Sequence, residues 1–98
     1  MKIVVKNVNE NPKVVEIGGS LEELQSIVGG YIEAFSITED IMCICNERGK
    51  ILNLPINFRY DYDFIQGNVF FASDGINDFE SLNDKQISLL MKVFNAIM

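Results

Sequence analysis

The 98-residue chain has no histidine and no tryptophan, only two cysteines and two prolines, and eight basic residues against fourteen acidic ones. Without histidine it lacks the commonest general base and the commonest metal ligand, so any chemistry would rest on Asp, Glu, Lys, Tyr or Cys. Two thiols cannot complete a four-ligand zinc site inside one subunit without carboxylates, and a cysteine nucleophile would have no imidazole partner. No apolar run approaches a membrane span. The start, Met1-Lys-Ile-Val-Val-Lys6, is too short in apolar residues for a signal-peptide core, so the expected location is the cytoplasm. A net charge of −6 with scattered basic residues argues against a phosphate-backbone partner, and the carboxylates are too interleaved with apolar residues for a DNA mimic. Lys50 follows Gly49, but the two spaced glycines and the Lys-Ser or Lys-Thr of a phosphate loop are missing. These absences leave no expected cofactor, no metal site and no catalytic residue.

What is present is a chain of 48% hydrophobic residues with seven Phe and three Tyr, enough for one core and hence a single domain. Lys2–Lys6 and Lys13–Ile17 are β-branched runs joined by Asn- and Pro-rich residues, a loose hairpin. Ser20 and Glu23 form a capping box, and the apolar spacing predicts a helix over Leu21–Val28, ended by Gly29-Gly30. Three strands in a meander follow: Tyr31–Ile37, Ile41–Cys45 and, after the hairpin loop Glu47-Arg48-Gly49, Lys50–Leu54. Five apolar residues in succession at Ile41–Cys45 require cover on both faces, from two layers or from a subunit contact. Phe64–Ala72 reads as a strand interrupted at Gly67, Ser73–Asp78 as a turn, Phe79–Leu82 as a short extended piece, and Asn83 with Gln86 as a second helix cap. The expected fold is α+β: a mainly antiparallel sheet of five or six strands with two helices on one face. The expected core is Ile3, Val5, Val15, Leu24, Ile27, Val28, Ile32, Ile44, Leu52, Val69, Phe71, Ile87, Leu90, Met91 and Phe94.

The last helix, from Asp84 to about Met98, is broader in its apolar surface than a helix resting on a sheet requires. Ile87, Leu90, Met91, Phe94, Ile97 and Met98 make one stripe, and Leu89, Val93 and Ala96 make a second beside it. Together they span roughly 220°, against a little over 100° for ordinary packing on a sheet. Two coverings suit the second stripe: the first helix alongside in the same layer, or another copy of the chain in a homo-oligomer. The positive mean hydropathy of +0.14 agrees with the second of these.

The order Leu21-x-x-Leu-Gln-x-x-Val-Gly-Gly-Tyr-Ile-Glu33, Cys45-Asn-Glu-x-Gly-Lys-x-x-x-Leu-Pro-x-Asn57, Asp63-x-Ile-x-Gly-x-x-Phe70 and Ser81-Leu-x-Asp-x-Gln86 resembles a family of short uncharacterised proteins. It is catalogued as a domain of unknown function and associated with phages, mobile elements and gut-bacterial metagenomes. The chain departs from that pattern at Asn83, where threonine is usual, and at Lys85, where glutamate is common. The resemblance implies an origin and no activity.

The strongest site candidate in the residues themselves is the stretch 57–63, with Asn57, Arg59, Tyr60 and Tyr62 as binding residues and Asn46, Glu47 and Lys50 of the preceding hairpin beside them. Arg and Tyr outside a core supply planar charge recognition and large contact area. Phe58, Tyr60 and Tyr62 alternate, however, so the same stretch also suits an edge strand with one aromatic face on the core. Cys43 and Cys45 sit on one face of a strand, where a strain-free disulfide between them does not form, and read as small core residues. The carboxylates Asp61, Asp63, Asp74, Asp78 and Glu80 have no calcium-loop spacing. Three functions are expected: a non-catalytic binding or interaction protein with a protein partner, acting as a small oligomer; a counter-defence protein, which the resemblance to mobile-element proteins suggests, that sequesters a small anionic nucleotide signal, held by Arg59, Lys50 and the tyrosines, or blocks a host complex; and a small enzyme using carboxylates and dependent on Asp61 or Asp63.

Overall fold

A strand apolar on both sides has to be roofed twice, and the computed structural model, which describes residues 1–75 and 78–97, builds its architecture around two such strands. The order of elements is β1 (Lys2–Lys6), β2 (Lys13–Glu16), α1 (Leu21–Val28), β3 (Ile32–Ser36), β4 (Ile41–Asn46), β5 (Ile56–Tyr60), β6 (Asp63–Gln66), β7 (Val69–Asp74), β8 (Phe79–Glu80) and α2 (Asp84–Ile97). The main sheet is antiparallel in the order β2-β1-β7-β4-β3, with β8 paired to the end of β7. β5 and β6 form a separate hairpin. The α+β class and the mainly antiparallel sheet of six strands agree with the expectation from sequence. Ile76, Asn77 and Met98, and the side chain of Ile97, lie outside the described residues, and with them the tip of the expected 73–78 turn and two members of the expected apolar stripe of the last helix.

The expected placement of both helices on one face is corrected. Val4 and Cys43 pair with Phe71 in register, and all three pack with Leu90 and Phe94 of α2. Their neighbours Val5, Ile44 and Phe70 point the other way and pack with Leu24 and Val28 of α1. The helices therefore cover opposite faces. The physical reason lies in β4 and β7, whose buried runs alternate between the two clusters; two helices on one side would leave half of each strand wet. The β5–β6 hairpin shares the α2 side, where Phe58 and Ile65 join the cluster. Rings of Phe58, Phe71 and Phe94 meet there, Phe58 against Phe94 edge to face at 5.1 Å and Phe71 against Phe94 at 5.5 Å.

Both helix starts are as their residues demand. Ser20 Oγ accepts from the Glu23 amide at 3.2 Å while the Glu23 carboxylate accepts from the Ser20 amide, and Gly29 ends α1 at φ 79°. Asn83 Oδ1 accepts from the Gln86 amide at 2.8 Å, and Gln86 Oε1 accepts from the Asn83 amide at 2.9 Å. Such caps satisfy donors that the helix itself leaves open, for about 1 kcal/mol each. Gln86 is also almost wholly buried, and its Nε2 donates to Asp40 O, Asp40 Oδ2 and Ser73 Oγ, fixing the start of α2 to the main sheet.

Two further expectations are overturned. Lys50–Leu54 is not a third meander strand but a run of turns, with the Leu52 amide donating to Arg48 O and Asn53 at φ 53°. Leu52, expected in the core, is 52% exposed, and the place it was given beside β4 is taken by β7. Phe64–Ala72 is two strands in two sheets, because Gly67, at φ 85°, turns the chain between β6 and β7. A side chain at Gly67 would also collide with Leu54. Of the remaining expected core, Ile3, Val5, Leu24, Val28, Ile44, Val69, Phe71, Leu90 and Phe94 are buried, while Val15, Ile27, Ile32, Ile87 and Met91 are half-buried.

Candidate functional site

The stretch 57–63 is neither a loop nor an edge strand of the main sheet. It is the first arm and tip of the β5–β6 hairpin, turned at Asp61-Tyr62, with Asp61 at φ 59°. Phe58, buried, and Tyr60, half-buried against Phe35 at 5.7 Å, follow the strand reading, but Tyr62 does not: it sits at the turn, 93% exposed, and is no part of an aromatic face on the core. This hairpin spreads the expected site residues over separate surroundings.

Asn57 Nδ2 donates to Lys6 O at 2.7 Å and Gly67 O at 2.9 Å, and its Oδ1 accepts from Lys6 Nζ at 3.0 Å. It clips the hairpin to β1. Asn46, 6% exposed, donates to Val28 O and accepts from the Arg48 amide, so it closes the end of α1 against the turn that follows β4. Both amides are committed to the fold. Glu47 and Lys50 line a recess with Glu33, Cys45, Asp63 and Phe64, where Lys50 forms an ion pair with Asp63. The Lys50 hydrogen bond, with the Phe64 amide behind it, holds the Asp63 carboxyl below its ordinary range. Tyr60 and Tyr62 line an adjoining recess with Asp61 and Asp63. Arg59 stands elsewhere, lining a different recess from that of Lys50.

Arg59 borders an apolar groove of about 230 Å³ between α2 and the hairpin. At about 100° per residue, the surface of α2 passes from the buried Leu90 and Phe94 to Val93 and then Leu89, which are each 46% exposed and form one wall. The facing wall is Phe58, Arg59 and Tyr60 of β5 with Ile37 and Thr38 beyond the end of β3, and the Tyr60 hydroxyl donates to Ile37 O at 3.4 Å. Ile41 and Phe71 of the sheet form the floor. Leu89 and Val93 were legible as an excess apolar stripe. Ile37, Thr38 and Ile41 were not singled out, and the one hint of them is the apolar run Ile41–Cys45 directly after the Thr38 turn.

Lys6 is a further residue that sequence reasoning missed. It is 2% exposed, its Nζ donates to Asn7 O and Asn57 Oδ1, and it lies 5.9 Å from the centre of the Phe94 ring. Burial lowers its pKa from the usual lysine value, with Glu10 acting in the opposite sense. Cys43 and Cys45, on the same side of the sheet, are free thiols. Burial, reinforced by its neighbour Cys45, pushes the Cys43 thiol far up; burial followed by Glu33 pushes Cys45 up to about 11. Neither is poised as a thiolate.

The family model for the domain of unknown function DUF3846 matches residues 1–95. The chain belongs to that family. No curated protein and no solved structure matches the chain. DUF3846 membership assigns no activity to these residues. Among the described residues of this DUF3846 chain, no helix is long and apolar enough to cross a membrane.

Proposed function

We propose that this chain is a non-catalytic binding protein whose working surface is the groove between α2 and the β5–β6 hairpin, and whose ligand is a segment of another protein. The observation that carries this reading is the exposure of Leu89 and Val93 beside a groove that α1, packed on the opposite face of the sheet, does not cover. The groove's volume of about 230 Å³ lies below the roughly 300–1,000 Å³ of sites that enclose a whole small ligand, and it suits a few inserted side chains better. The nucleotide-sequestering alternative has less support, since Lys50 is neutralised by Asp63 and Arg59 belongs to a different recess. The carboxylate-enzyme alternative would use Asp61 and Asp63, but Asp63 is held ionised by Lys50 at an exposed position, unlike a general acid. A cytoplasmic phage or mobile-element protein that blocks a host complex would need a docking surface of this kind and no catalytic group.

A photo-crosslinking residue at position 93, with position 26 on α1 as the control, tests the reading in cells. The expected result is an adduct specific to position 93 with a protein that, once purified, binds the wild-type chain in calorimetry and loses binding to the Leu89→Ser/Val93→Ser variant. A partner that binds the variant equally well would overturn the reading. A crosslink between two copies at position 93 would make the occupant a second chain, in a homo-oligomer through Leu89, Val93 and Ala96.

A further inference from the structure

The charges bordering the groove narrow its partner, an inference that rests on the docking reading above. Continuing round α2 from Leu89 at about 100° per residue, Ala96, Lys85 and Lys92 come next on the solvent side, whereas Asp84 lies on the far flank. Arg59 stands across the groove. Arg59, Lys85 and Lys92 are exposed, and none has an ion pair among the described residues, where the only such pairs are Met1 with Glu16 and Lys50 with Asp63. In a chain of net charge −6, three of the eight basic side chains thus flank one apolar groove unneutralised. Three carboxylates also stand nearby, and only two of them, Glu39 and Asp61, carry no side-chain hydrogen bond among the described residues. Asp40 is engaged by Thr38 Oγ1 and Gln86 Nε2, Asp61 lines the neighbouring recess, and Glu39 sits in the turn after Thr38.

We infer that the groove takes an acidic segment of a partner protein, one that sets large apolar side chains between α2 and β5 and places Asp or Glu side chains against Arg59, Lys85 and Lys92. Apolar anchors would supply the affinity, and the cationic rim would select the partner and speed its encounter. A second copy of this chain fits less well, because a pairing of α2 on α2 centred on Leu89 and Val93 would set Lys92 of one copy beside Lys92 of the other.

The test is a selection from a library of random peptides displayed against the purified full chain, with the Leu89→Ser/Val93→Ser variant as the counter-target, followed by fluorescence anisotropy on the enriched peptides. The expected peptides combine Leu, Phe or Trp with Asp or Glu and weaken as salt is raised. The Arg59→Glu/Lys85→Glu/Lys92→Glu variant should bind them at least about tenfold more weakly. It should recover binding when the acidic residues of the peptide are exchanged for lysine, which an unfolded variant would not do. Groove-dependent peptides that are neutral or basic would overturn the acidic inference and leave the docking reading standing. Absence of any groove-dependent peptide would overturn both. A sedimentation boundary showing a dimer that the Leu89→Ser/Val93→Ser variant dissolves would give the groove to a second copy and overturn the inference.

Discussion

The two faces of the central sheet are made by the same strands and differ in how they are closed. On the α1 face, Leu24 and Val28 of an eight-residue helix seal Ile3, Val5, Ile44, Phe70 and Ala72. On the α2 face, a longer helix and a hairpin share the cover, meet over three phenylalanine rings, and leave a groove where their edges part. Lys6, Cys43 and Cys45, the titratable groups that burial perturbs, all lie on this second side. On the first face one helix, with half-buried residues such as Ile32 and Met42 around it, covers the buried cluster. Two elements of different kinds leave a seam, and a seam is where a partner can enter.

That contrast can be broken most forcefully at Phe94. Phe94→Ala removes the ring that touches both Phe58 and Phe71 and should cost about 3–5 kcal/mol in urea unfolding. Leu24→Ala on the α1 face should cost about 2–5 kcal/mol and less than Phe94→Ala in the same experiment. An equal or reversed order would mean that the aromatic cluster is not the heavier half of the core.

The next effect is a pH dependence belonging to one face. Cys43 keeps its proton in the folded chain well above the ordinary thiol range, so its contribution to stability is complete below about pH 8.5 and declines as pH rises towards the folded value, by at most about 1.4 kcal/mol per pH unit. Lys6 acts in the opposite direction. Its lowered pKa means that the unfolded chain binds the extra proton, and stability is gained as pH rises towards the usual lysine value. Urea midpoints measured from pH 7 to pH 10 should therefore fall less steeply in Cys43→Ala than in the wild type. Parallel curves would remove the thiol from the account.

The smallest effect sharpens the distinction between holding the fold and serving the groove. Val93→Ser and Leu89→Ser lie at half-exposed positions and should each cost about 1 kcal/mol of stability, while lowering the fluorescence of an apolar dye bound to the surface. A loss of several kcal/mol would show that these side chains are core after all.

How far these faces could be read in advance depended on whether the determining interaction was local. Ser20 with Glu23 and Asn83 with Gln86 announce helix starts within four residues, and the structure has both caps. The apolar run at Ile41–Cys45 announced a strand covered twice, and β4 is one. The side of the sheet on which each helix lands is not encoded locally: the helical period shows which stripe is apolar, not which layer receives it. Lys50–Leu54 misled because two adjacent apolar residues suit a strand and an exposed turn equally, and the Leu52-to-Arg48 hydrogen bond that decides between them leaves no pattern. The groove was half legible. Its α2 wall shows as an excess stripe, but Ile37, Thr38 and β5 are brought to it by pairings remote in the chain.

The strand order also governs how the molecule can assemble in time. Val4, near the beginning of the chain, is paired with Phe71, and β7 bridges β1 to β4, so the sheet cannot close until most of the chain is in place. Contacts so distant in sequence make for a slow search. Because β7 sends Phe71 to one cluster and Phe70 to the other, its arrival completes both at once. The two faces, unlike in composition and in closure, should therefore form and melt in a single step.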